Sequence, residues 1–84
     1  MAAQPIDLTY YQTLHPNQQR TIKHDLAFQI MQIIFQMDMM LENAPGRMKH
    51  KMTPGQIQSY NNLDTRKSML MEELKILMLN DRDI

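Results

Sequence analysis

Residues 26–41 read Leu-Ala-Phe-Gln-Ile-Met-Gln-Ile-Ile-Phe-Gln-Met-Asp-Met-Met-Leu. Within them Leu26, Ile30, Ile33, Met37 and Met40 follow one another at steps of four, three, four and three. That is the a/d rhythm of helices that pack side by side. Asp25, Gln29, Gln32 and Gln36 keep the same rhythm on another side, so a single polar stripe runs along the helix. Ala27, Phe28, Met31, Ile34, Phe35, Met39 and Leu41 fill the space between. A helix facing one partner needs an apolar arc of about 100°, and this arc is wider. The stretch predicts a long helix built for more than one neighbour. The recurring glutamines also argue against a bilayer span, which needs roughly 20 mostly apolar residues.

Downstream, Asn43-Ala44-Pro45-Gly46 ends the helix, because a Pro-Gly pair stops a helix and allows a turn. A basic linker follows, Arg47-Met48-Lys49-His50-Lys51. Thr53-Pro54-Gly55-Gln56 then reads as a capping box, with Thr53 as N-cap, Pro54 in the first turn and Gln56 reaching back to the Thr53 amide. The second long helix presents Tyr60, Leu63, Leu70, Leu74 and Leu77 inward, with Lys67 at an edge. Upstream, His15-Pro16 separates the first long helix from a shorter one carrying Leu8, Tyr10, Tyr11 and Leu14. The expected spans are 7–14, 16–43, a linker over 44–52, and 54–80. Valine is absent, while Met, Leu, Gln, Lys and Glu abound, a helix-forming palette. The fold class is all-α: one small domain, 1–84, forming a long antiparallel helical hairpin with a short N-terminal helix. Two such hairpins could join as a four-helix bundle.

Composition narrows the function classes. Nine Lys and Arg balance nine Asp and Glu, giving a formal net charge of zero, which argues against a coat for nucleic acid. With no cysteine there is no disulfide framework, thiolate metal site or cysteine nucleophile. Met1–Tyr10 has neither a basic start nor an apolar run of the secretory kind, and a cytoplasmic location is expected. His15, His24 and His50 form no i, i+4 pair, so each reads as a surface histidine and no metal is expected. Glu72 and Glu73 are adjacent and diverge by about 100° on a helix, so they make no acid/base pair. Ser59 and Ser68 lack a nucleophile turn, and there is no glycine-rich phosphate loop. The chain is expected to be non-enzymatic, with no cofactor and no small-molecule substrate.

An antiparallel register sets the C-terminal half of the first long helix beside the polar half of the second. The short helix should then cover the apolar Met69–Leu79 segment, leaving Met31, Ile34, Phe35 and Met39 uncovered. An exposed apolar patch of this kind marks an interface. The ten methionines carry two readings. As leucine substitutes, Met31, Met37, Met69, Met71 and Met78 belong to the core; as adaptable side chains, Met39 and Met40 suit a partner surface. Charges should assist the register, Asp81 and Asp83 meeting Arg20 and Lys23, and Glu42 meeting Lys49 and Lys51. The expected function is a protein–protein interaction module, an adaptor, inhibitor or assembly factor, binding another protein or a second copy through Met31, Ile34, Phe35 and Met39. The alternative is a nucleic-acid accessory protein gripping phosphate through Arg47, Lys49 and Lys51.

Overall fold

A computed structural model describes residues 7–82. Three α-helices succeed one another: α1 (Leu8–Thr13), α2 (Pro16–Glu42) and α3 (Pro54–Arg82). Two single 3₁₀ turns, Pro45–Arg47 and Lys49–Lys51, form the connection between α2 and α3. The two long helices pack against each other as an antiparallel hairpin, and no strand occurs among the described residues.

Side-chain caps fix where each helix begins. The Thr53 hydroxyl accepts the Gln56 amide at 3.2 Å, while Gln56 Oε1 accepts the Thr53 amide at 3.0 Å, closing the capping box at the start of α3. The same device opens α2 with a less usual residue. His15 Nδ1 accepts the Asn17 amide at 3.1 Å, and the His15 amide donates to Gln18 Oε1 at 3.1 Å. The chain enters the loop through Gly46 and Arg47, both at positive φ, 65° and 57°. Gly46 has no Cβ to clash in that left-handed region, whereas Arg47 holds it under mild strain. Arg47 then donates to Glu42 Oε1 at 2.9 Å. Glu42 thus pairs with Arg47 rather than with Lys49 or Lys51, because the left-handed pair folds the loop back over the end of α2.

The core is a single file between the long helices. Leu26, Ile30, Ile33 and Met37 from α2 meet Leu70 and Leu77 from α3, with Leu63, Leu74 and Tyr60 half-buried beside them. The four-three spacing therefore names the buried stripe of α2, while Met40 at its far end is half-buried. Tyr11 of α1 completes the core at the open end of the hairpin and is fully buried. Leu8, Leu14 and Ile22 pack against the same cluster. Tyr10 does not join them; it is 61% exposed, being one residue, or about 100°, away from Tyr11.

Polar contacts tie α1 to both long helices. Gln19 donates to the Tyr11 carbonyl at 2.9 Å, and Gln12 donates to Asn80 Oδ1 at 2.8 Å. Lys23 forms an ion pair with Asp81, and the Tyr11 hydroxyl lies 3.5 Å from both carboxylate oxygens. The second acidic residue expected there, Asp83, lies outside the described residues. The hydrogen bond to Asp81 raises Lys23 above the ordinary lysine value, and burial, then the charge of Asp81, raises Tyr11 above the ordinary phenol. Both groups bind their proton more tightly in the folded chain than in the unfolded one. Their contribution is complete below the unfolded values and disappears as pH climbs through the folded ones. The melting temperature should therefore fall above about pH 10. That alkaline slope should be shallower for Lys23→Met, and an unchanged slope would show that the cluster is not responsible.

Candidate functional site

The hairpin leaves much apolar surface uncovered, and its distribution follows from helix geometry. On α2 the buried stripe is flanked on one side by the glutamines and on the other by Ile34, Ala27, Met31, Phe35 and Phe28, in order around the helix. Met31 is 67% exposed, Phe35 63% and Phe28 59%, with Ile34 and Met39 also exposed. On α3 the equivalent flank carries Leu74, Met78 and Met71. The two flanks open on the same side of the hairpin. They frame a groove of about 470 Å³ lined by Ala27, Ile30, Met31, Met71, Leu74, Lys75, Met78 and Leu79. None of its lining residues comes from α1. Lys75 is the one charged residue in the lining, and it is exposed.

This geometry corrects two expectations. The apolar segments of the long helices are not set apart diagonally, since Met31 shares the groove with Met71 and Met78. Register places the halves of the helices side by side, but the direction in which each residue faces decides the groove. Nor does α1 cover Met69–Leu79 as a whole: of that segment only Leu70 and Leu77 are buried, and they share a cluster with Tyr11. Its hydrogen bonds to α3 go to Asn80 and Asp81, at the end of the helix, and Met69, Met71, Ile76, Met78 and Leu79 all stay exposed. Of the methionines read as leucine substitutes, only Met37 is buried; Met31, Met69, Met71 and Met78 lie at the surface. Met69 and Ile76 face away from the groove, on the other side of α3.

Ile34, Phe35 and Met39 continue the exposed surface along α2 beyond the groove, which contains Met31 alone of the four expected partner-binding residues. Sequence spacing missed the α3 contribution because the Met71–Met78 step of seven was assigned to the core.

The basic loop is partly engaged within the chain. Arg47 is paired with Glu42, Lys49 donates to Asn61 Oδ1, and the Lys49 ammonium sits 4.9 Å from the centre of the Tyr60 ring. Lys51 and His50 are exposed.

Among the described residues no three His, Asp or Glu side chains converge as metal ligands, and no helix is long and apolar enough to cross a membrane. Comparison with protein families, with curated proteins and with solved structures found no match to this chain.

Proposed function

We propose that the chain is a non-enzymatic interaction module, an adaptor, inhibitor or assembly factor, whose working surface is the apolar flank of the hairpin. The observation that carries this reading is the continuity of exposed Met31, Ile34, Phe35 and Met39 with the groove formed by Met71, Met78 and Leu79. Monomeric proteins rarely leave large contiguous apolar surfaces to water. Methionine lets one such surface fit partners of differing shape, and an exposed aromatic beside a groove is a typical anchor. A cytoplasmic site of action accords with the absence of cysteine.

The loop is the weaker candidate for a contact surface. Two of its three Arg and Lys side chains already have partners within the chain. The experiment that separates the two compares binding by Phe35→Asp with binding by a Lys49→Glu, Lys51→Glu variant. The reading predicts loss in the first and retention in the second. Retained binding by Phe35→Asp, with loss in the loop variant and steep weakening by salt, would transfer the function to phosphate contacts.

A further inference from the structure

Ala27 and Met31, which line the groove, belong to a second seam on α2 beside the buried one: Arg20, His24, Ala27, Met31, Ile34 and Asp38. Their steps are four, three, four, three and four, the same rhythm as the core stripe. The seam is basic at its start, apolar in its middle and acidic at its end. Arg20 and Asp38 stand eighteen residues apart, five whole turns, so they project from the same side of the helix about 27 Å from each other. Neither takes part in an ion pair among the described residues.

The seam is also symmetrical about its own midpoint. Reversed end for end around the level of residue 29, it places Arg20 opposite Asp38, His24 opposite Ile34, and small Ala27 opposite large Met31. The groove-lining methionines of α3 share that centre. Lys23 facing Asp81 sets the register between the helices, so the level of residue 29 on α2 corresponds to Lys75 on α3. Met71 and Met78 lie almost equally far on either side of Lys75 and exchange places under the same reversal.

We propose that the partner seated on this flank is a second copy of the chain, packed antiparallel, α2 on α2 and α3 on α3, to give a four-helix bundle with a two-fold axis at the level of residues 28–31. This rests on the interaction reading above. In the bundle Arg20 of each copy meets Asp38 of the other, and Ala27 of each receives Met31 of the other. Met71 and Met78 close the α3 side. Lys75, at the rim near the axis, lays its stem over the methionines and keeps its ammonium in water. A contact that satisfies itself under a two-fold rotation is the form closed dimers take. About this axis α2 overlaps its copy along its whole length of about 40 Å and α3 over residues 68–82, about 22 Å, so with helices about 10 Å apart each copy contributes on the order of 600 Å², the lower end of a standard interface.

The test is mass in solution by light scattering over a wide concentration range, on the full chain and on Arg20→Asp, Asp38→Arg and the double variant. Wild type should be a dimer. Each single variant sets like charges against each other twice per dimer and should raise the dissociation constant at least about tenfold. The double variant should recover the wild-type constant, and an equimolar mixture of the two single variants should pair as tightly as wild type. Circular dichroism checks that all remain helical. A monomer at every concentration would overturn the proposal, yet leave the interaction reading standing if Phe35→Asp still abolishes binding to another protein. A dimer broken by Phe35→Asp but indifferent to the charge reversals would overturn the antiparallel pairing alone. A dimer indifferent to Phe35→Asp and to the reversals would overturn both.

Discussion

Leu77→Ala should unfold much of this protein at temperatures where the wild type is intact. Leu77 is fully buried, and it belongs to the cluster that also includes Tyr11 and Leu26. Truncating a buried leucine costs about 2–5 kcal/mol, because the transfer free energy is lost and the cavity closes only in part. A hairpin with a single file of core residues has little in reserve, and domains near this size are stable by only about 3–5 kcal/mol. With each kcal/mol worth roughly 4–8 °C in a domain of this size, the melting temperature should drop by more than about 10 °C. Met69→Ala provides the control, since that side chain is exposed and away from the groove; its change should stay within about 0.5 kcal/mol. Equal effects of the two substitutions in thermal melts would mean that the core is not where the structure places it.

Phe35→Asp should do the opposite: abolish association and leave the fold nearly untouched. The ring is 63% exposed, so its removal opens no cavity in the hairpin. In a complex the same ring would be taken out of water, and full burial of such a side chain is worth about 1.5–3 kcal/mol. A carboxylate there adds the cost of an unpaired charge at an apolar contact, which is several kcal/mol in a site closed to water. The sum corresponds to a loss of affinity of at least about a thousandfold. Helix content by circular dichroism should be unchanged, and the melting temperature should match that of wild type at dilutions where both are monomeric, falling below it only where wild type is associated. A variant that still associates would show that the flank of α2 is not the contact surface.

The contrast between these two substitutions also marks how far the sequence could be read. Spacing located the buried stripe of α2, because one row of residues at steps of four and three has to face the neighbouring helix whatever that neighbour is. The Thr53–Gln56 box was legible for a similar reason, since its chemistry is local. The box at His15 was not, because histidine lies outside the small polar residues that usually cap a helix, and only geometry shows its Nδ1 accepting the Asn17 amide. The groove needed three dimensions. Met71 and Met78 look like core positions in a list of apolar residues, and the rotation of α3 against α2 turns them outward beside Met31. The Glu42–Arg47 pair depended on two consecutive left-handed residues, of which only the glycine is suggested by sequence.

The central claim is that the flank carrying Met31, Met71 and Met78 is the surface that a partner covers. The methionines themselves report on it. Oxidation of each thioether, followed by mass spectrometry in dilute and in concentrated solution, measures how accessible each one is to solvent. Met48 and Met69, exposed and off the flank, serve as internal references; Met37 and Met52, buried in the fold, set the lower limit. The account predicts that Met31, Met71 and Met78 slow markedly as concentration rises, while Met48 and Met69 keep their rates. Rates for Met31, Met71 and Met78 that stay as fast as those of Met48 and Met69 at every concentration, and in the presence of any captured partner, would contradict it.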